Sequence, residues 1–280
     1  MTPRRLTPRR LMRRLILAVS TAVGGLLRVT GVARLIAPRH VVLERVTVQV
    51  PDLPPGLAGY TIGVLTDLHL GALVATEFVR RAAEMLASEQ PDLVVVLGDL
   101  VSEESAVREL PVALAPLGGA AVGVWGNWDL SVEGAMEQRV VRMLVNEGFA
   151  PVPGLWVAGV DDTVLGEPDL AKALAGAPPA PGAGGAARAA VRILLAHEPD
   201  FAEQVKPEHN IALQLSGHSH GGQIRLPLVG PLMLPPGGRK YPMGLRQARA
   251  CQVYTSRGVG TAHLPIRLFC PPEVTLITLR

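Results

Sequence analysis

Five apolar runs of strand length, each delivering a polar residue at its C-terminal end, restrict this chain to an α/β fold with its chemistry along one edge. Tyr60–Leu65 (YTIGVL) leads into Thr66-Asp67-Leu68-His69, and Leu93–Leu97 (LVVVL) into Gly98-Asp99. Ala120–Trp125 (AAVGVW) leads into Gly126-Asn127, Val191–Ala196 (VRILLA) into His197, and Ile211–Leu215 (IALQL) through Ser216-Gly217 into His218. Short, partly β-branched apolar runs bounded by glycine and polar residues read as buried strands. In open α/β sheets the carboxyl ends of strands are where ligands bind. The glycines let the backbone turn sharply and approach such a site where a Cβ would clash.

The residues delivered there share one chemistry. Asp67, His69, Asp99, Asn127, His197, His218 and His220 supply seven carboxylate, amide or imidazole groups able to bind a hard or borderline metal. Any one fragment alone is usually a strand-end turn or an ordinary hydrogen-bonded histidine; their joint occurrence at successive strand ends reads as one divided metal centre. Imidazole suits Zn, Fe, Ni and Cu, and carboxylate suits Mg and Mn. Two divalent ions roughly 3.5–4 Å apart can clamp the attacking and leaving oxygens of a phosphoryl displacement.

The order D-x-H, G-D, G-N-x-D, a lone His and G-H-x-H resembles the calcineurin-like metallophosphoesterase family, from about Tyr60 to the C-terminus. The stretches His197-Glu198-Pro199-Asp200, Gly217-His218-Ser219-His220-Gly221-Gly222-Gln223, Ser256-Arg257-Gly258-Val259-Gly260 and Cys270-Pro271-Pro272-Glu273 resemble its bacterial exported or membrane-associated branch. The resemblance implies a four-layer α/β/β/α sandwich: two mixed β-sheets packed together with helices outside. It implies two divalent metal ions (Mn, Fe, Zn or Mg), one held by Asp67, His69 and His220, the other by Asn127, His197 and His218, with Asp99 bridging. A hydroxide between the ions would then attack a phosphomonoester, phosphodiester or phosphoanhydride, making the chain a metal-dependent phosphoric ester hydrolase.

One position departs from the family pattern. Trp128 stands where the family usually has a histidine that helps protonate the leaving oxygen or stabilises the transferring phosphoryl group. An indole N–H only donates and does not titrate in the working range. Three consequences are open: another donor, His263 or Arg257, fills the space; the substrate has a good leaving group; or the chain is a catalytically impaired scaffold that binds a partner. A metal-dependent amide or ester hydrolase fits the ligand order less well.

The basic residues are unevenly placed. Of 27 basic and 24 acidic residues, nine arginines and no acid lie in residues 1–40, which leaves 18 basic and 24 acidic, a net of −6, in residues 41–280. A nucleic-acid groove on that body is disfavoured, because phosphate-backbone binding needs clustered cations. Between Arg14 and Arg28 the thirteen uncharged residues Leu15–Leu27 are shorter than the ~20 that span a bilayer comfortably. They fit the h-region of an export signal or an interfacial anchor, and Arg9-Arg10 and Arg13-Arg14 hint at a twin-arginine signal. The expected partners are therefore a membrane surface, through this leader, and a phosphorylated small-molecule or lipid substrate. The side of the membrane is open.

Residues 41–280 read as one domain, large enough for a substantial core. Val41–Val50 alternates as an entry strand, Thr76–Glu89 has helical spacing with Val79, Ala82, Ala83 and Leu86 on one face, and Glu133–Glu147 reads as a second helix. Leu155–Val160 reads as a strand ending in the polar turn Asp161-Asp162. The Ala/Pro/Gly stretch 175–190 is expected to be a mobile loop. Leu226–Tyr241, rich in Pro and Gly, is expected on the substrate rim, with Arg239, Lys240 and Tyr241 as phosphate contacts or solvated surface. Cys251 and Cys270 form no metal motif and are expected as buried free thiols, with pairing the alternative in an oxidising compartment.

Overall fold

The computed structural model describes residues 40–119, 121–131, 140–181 and 189–280. The strands run β1 Val42–Val48, β2 Thr61–Leu65, β3 Leu93–Val96, β4 Ala121–Gly123 and β5 Val141–Met143, then β6 Glu147–Phe149, β7 Leu155–Gly159, β8 Val191–Leu195 and β9 Ile211–Ser216. A small hairpin, β10 Arg225–Leu226 and β11 Gly230–Pro231, precedes β12 Gly244–Gln247, β13 Gln252–Thr255 and β14 Glu273–Leu279. Two six-stranded sheets result, ordered β1-β14-β2-β3-β4-β5 and β12-β13-β9-β8-β7-β6. Both are mixed: β14 runs antiparallel to β2, and β6 and β12 run antiparallel to their neighbours, whereas the central strands are parallel.

Side-chain alternation explains why the sheets stack. Ile62 and Val64 of β2, with Val95 of β3, face Ile193 and Leu195 of β8 and Leu213 and Leu215 of β9 across the inter-sheet core. The opposite face of the first sheet is covered by helix α1, Thr76–Ser88, and the short α2, Leu110–Leu114, through Val79, Ala82, Leu86, Leu110, Ala113 and Leu114. On the outside of the second sheet, Trp156, Ala158 and Leu194 pack against Leu170 and Ala173 of α3, Leu170–Ala173, and against Phe201. Buried parallel strands need cover on both faces, and the expected four-layer α/β/β/α sandwich is what these contacts build.

One expectation changes. The helix read at Glu133–Glu147 is not present in its described part. Residues 132–139 lie outside the described residues, Val141–Met143 is strand β5 paired in parallel with β4, and β6 begins at Glu147. Val141 and Met143 are buried while Arg142 is exposed, a two-residue alternation that suits an edge strand. Asn146, at φ 57°, turns the chain between the sheets; Asn tolerates that left-handed conformation better than most residues. In the Ala/Pro/Gly stretch, residues 182–188 lie outside the described residues. Its flanks are anchored: Arg192 Nη2 donates to the Pro178 carbonyl at 2.9 Å, and Ala190 N–H to that of Pro179 at 2.9 Å.

Of the leader, only His40 is described. No helix among the described residues is long and apolar enough to cross a membrane. Cys251 and Cys270 are both buried and free.

Candidate metal centre

The carboxyl ends of both sheets meet at one edge, and the polar residues delivered there converge. Asp67 and His69 follow β2, Asp99 follows β3, Asn127 follows β4, His197 follows β8, and His218 and His220 follow β9. The backbone is unusual at these points: Asp67, His69, Asp99, His218 and His220 all have φ between 48° and 66°. Such conformations cost roughly 1–3 kcal/mol each and persist where the surrounding structure over-determines them. Glycine makes the approach possible. A Cβ on Gly126 would collide with the Asp99 carboxylate, and one on Gly217 with Thr66 and Asp67.

Two groups of donors emerge, Asp67-His69-His220 and Asp99-His197-His218, all buried, each with its ligand atoms within 4.8 Å of one another. His69 Nε2 lies 3.1 Å from His220 Nε2, and His220 Nε2 lies 3.5 Å from Asp67 Oδ1. His197 Nε2 lies 3.2 Å from His218 Nδ1. Asp99 Oδ2 faces both groups, 3.5 Å from His69 Nε2 and 3.4 Å from His197 Nε2. Donors at roughly 2.0–2.2 Å from one ion stand about 3–3.5 Å from each other. The observed separations match the edges of two adjoining coordination shells, with Asp99 Oδ2 within reach of both.

Tautomers support the same conclusion. His197 Nδ1–H donates to the Leu97 carbonyl at 2.6 Å, and His218 Nε2–H donates to the Pro236 carbonyl at 2.9 Å. In the neutral rings these bonds direct the lone pairs of His197 Nε2 and His218 Nδ1 to the same point, where a cation would replace the proton that His197 otherwise holds. Such outer hydrogen bonds fix which nitrogen can ligate. The residues present thus fit two divalent ions. Asn127 lines the same cavity beside Asp99.

Supporting groups hold this constellation. Asp129 accepts N–H bonds from Asp99 at 2.7 Å, Leu100 at 2.8 Å and Gly126 at 3.0 Å, and so shapes the Asp99 loop. Trp128 N–H donates to Asp99 Oδ1 at 2.7 Å, leaving Oδ2 toward both groups. His218 N–H donates to Asp67 Oδ1 at 3.0 Å. Asp129 stood within the G-N-x-D pattern without an assigned role. Arg267 had no sequence signal: its Nη2 lies 3.1 Å from His220 Nδ1 and donates to the carbonyls of Arg257 and Gly260. The His-Glu-Pro-Asp stretch also gains an explanation. Glu198 accepts from Thr163 N–H and Oγ1, and Asp200 accepts the N–H groups of Arg239, Lys240 and Tyr241.

The cavity over the metal donors has a volume of about 560 Å³, and Trp128, His263, Arg239 and Met233 contribute to its walls. The Trp128 ring stands edge-on to His69, with centroids 5.0 Å apart, and 5.3 Å from the ring of His263. His263 is thus next to the indole. Arg257 is not among the cavity walls. Its guanidinium pairs with Glu44 and Glu273, two carboxylates that draw it away from the cavity. Lys240 and Tyr241 likewise turn to Glu203, by an ion pair and a hydrogen bond respectively. Arg239 alone of these three reaches the cavity wall, and the expected rim segment Leu226–Tyr241 contributes through residues 232–236 and Arg239.

Charge in the centre is unbalanced. Burial, opposed by His197 and reinforced by Asp99, pushes Asp67 up to about 7. Burial and Asp99 push Asp129 up to about 7, against its N–H donors. Burial opposes charging of His197, but Asp99 overrides it and holds that imidazole well above its ordinary value. Burial, then His197, pushes His218 down to about 4, and burial, then His69, holds His220 well below its ordinary range. Below about pH 6.5 the depressed His218 and His220 act in the direction opposite to the raised carboxylates. Above it the unfolded histidines and carboxylates have lost their protons, while folded Asp67, Asp129 and His197 still hold theirs in part.

Stability of the metal-free chain therefore falls as pH rises from 6.5 to 8, each such group contributing up to about 1.4 kcal/mol per pH unit. With metal bound, the ligand protons are displaced and stability rises over the same range. Calorimetric melting of chelator-treated and Mn²⁺-loaded protein across this range checks both slopes.

Comparison with known proteins agrees with this geometry. The family model for calcineurin-like phosphoesterases matches residues 60–222. The uncharacterized metallophosphoesterase YkuE of Bacillus subtilis is 30% identical over 93% of this chain and 91% of its own length. The phosphodiesterase YaeI of Escherichia coli is 31% identical over 79% of this chain and 83% of its own. A transmembrane protein with metallophosphoesterase domain from Danio rerio is 31% identical over 92% of this chain and 61% of its own. With two buried Asp/His groups converging on one shared carboxylate, the chain belongs to the calcineurin-like phosphoesterase family and is a metal-dependent phosphoric ester hydrolase.

Proposed function

We propose that the chain hydrolyses a phosphodiester or phosphoanhydride with a good leaving group, presented at a membrane surface. The observation that carries the reading is the single oxygen, Asp99 Oδ2, set between two donor groups at the floor of an open cavity. Asp67, His69 and His220 would hold one ion and Asn127, His197 and His218 the other. Two bound divalent ions supply an acidified water near neutral pH and neutralise charge on the phosphoryl oxygens. The mixed imidazole and carboxylate donors suit Mn, Fe or Zn, and accommodate Mg less well.

The protein's own groups do the rest. Asp99 would help hold both ions, and the Trp128 backbone N–H fixes its Oδ1. Arg239 places a cation on the cavity wall, where a phosphate or headgroup would lie. His263 stands beside Trp128 and is the titratable group positioned to deliver a proton to a departing oxygen. The membrane setting is supported by the arginine-rich apolar leader and by the relative described as a transmembrane protein.

Trp128 favours one competing reading, a binding scaffold without turnover. Assay of the full chain on an activated aryl phosphodiester, after chelation and after reloading with Mn²⁺, separates the two. Turnover that vanishes on chelation and returns with Mn²⁺ is expected. A fully loaded chain inert toward aryl diesters and nucleoside diphosphates alike would favour the scaffold.

A further inference from the structure

Apolar side chains left at the surface gather beside the cavity. Among the described residues twelve large apolar side chains are exposed, and eight of them lie between Leu226 and Phe269. Scattered exposed leucines are ordinary, but a contiguous group marks a binding surface. Here the group is built from two segments tied together. The β10–β11 hairpin carries Leu228 and Val229 at its tip, Leu228 fully exposed and at φ 66°. Beside it runs the 264–269 loop, with Leu264, Leu268 and Phe269 exposed. Arg225 N–H donates to the Leu268 carbonyl at 2.9 Å, and Leu268 N–H to that of Gln223 at 3.0 Å. Leu232, Met233 and Leu264 belong both to this patch and to the walls of the metal-centre cavity. The apolar surface and the site are continuous.

The segments that build this face carry charge of one sign, with Asp200 and Glu203 packed against residues 239–241. Between Glu208 and Glu273 there is no acidic residue and there are seven basic ones, although residues 41–280 as a whole are net acidic. Lys240 and Arg257 are held by Glu203, Glu44 and Glu273. Arg239, Arg246 and Arg249 are exposed. Protruding apolar residues accompanied by cations are the composition of elements that lie in the interface of an anionic bilayer.

We propose that this face docks on an anionic phospholipid bilayer, with Leu228, Val229 and Phe269 entering the interface and the cavity mouth turned toward the lipid. The substrate class that follows is a phosphoester carried on a lipid, its apolar part running along Leu232, Met233 and Leu264. That second step rests on the hydrolase reading above; the docking does not. It is also separate from the leader, which could tether the chain without orienting the body.

The test uses the full chain with Leu228→Trp. Trp125, Trp128 and Trp156 are each less than 9% exposed, so the new indole dominates any lipid response. Phosphatidylglycerol vesicles should shift its emission to the blue, and shallow bromine labels on the acyl chains should quench it, with phosphatidylcholine vesicles much less effective. The double variant Leu228→Asp/Phe269→Asp should lose about tenfold or more of its turnover on a vesicle-borne phosphoester, given what burial of each side chain is worth, with turnover of a soluble aryl diester unchanged.

Emission that stays water-like while the chain sediments with vesicles would overturn the proposal and leave the leader as sole tether. A blue shift that grows with protein concentration in the absence of lipid would also overturn it, in favour of a second copy. Quenching needs no catalysis: lipid-dependent quenching in a chain that hydrolyses no phosphoester would uphold docking while ending the hydrolase reading.

Discussion

Replacing Asp99 with alanine will empty both ion positions and reduce turnover by at least about 10³-fold. The magnitude follows from what the residue touches. Its Oδ2 is the donor set between His69 and His197, so one deletion removes a ligand from each group. Loss of a mere supporting hydrogen bond at a metal site typically costs about 10–100-fold in metal affinity, and a shared ligand counts twice. Lewis-acid stabilisation of phosphoryl transfer is worth several kcal/mol, each ~1.4 kcal/mol being tenfold in rate. Removing Asp99 also frees the Trp128 N–H that donates to Oδ1, so the loop after β4 loosens as well. Metal analysis and turnover should fall together. If Asp99→Ala kept two ions and normal turnover, the bridge would be wrong.

The second large effect concerns the leaving group. Wild-type protein should cleave aryl diesters and phosphoanhydrides far faster than alkyl diesters, because Trp128 cannot protonate an alkoxide. General acid help is typically worth ~10²–10⁴-fold. Whatever alkyl-diester turnover remains should depend on His263, whose ring lies 5.3 Å from that of Trp128. His263→Ala should lower the alkyl rate by about 10²-fold or more and leave the aryl rate within a few-fold. Trp128→His should raise alkyl turnover, with a pH profile that gains an acidic group. A structural role for His263 would instead depress both substrates equally, and that is the result that would refute its assignment.

How far the amino-acid sequence could be read depended on distance along the chain. The donors were legible because each sits within a few residues of a β-branched run, and the strand places it; their order then supplied the family resemblance and the sandwich. The helix misread before β6 failed for a related reason. Three-residue strands such as Val141–Met143 are too short to display a period, and the edge of β4 supplies the partner that decides the matter. Arg257 was placed by neighbours 213 and 16 residues away, Glu44 and Glu273, which no local pattern reveals. Arg267 reached His220 across 47 residues. Asp129 was in plain view, but its role as acceptor for four backbone N–H groups exists only once β3 and β4 lie side by side. The apolar hairpin was read as rim, and only the fold brought Leu268 and Phe269 beside it.

The most direct test of the shared-carboxylate centre is anomalous diffraction from crystals of the chain loaded with Mn²⁺. Two peaks roughly 3.5–4 Å apart, one among Asp67, His69 and His220 and one among Asn127, His197 and His218, with Asp99 Oδ2 in contact with both, are predicted. A single peak, or two peaks with Asp99 bound to only one, would contradict the account.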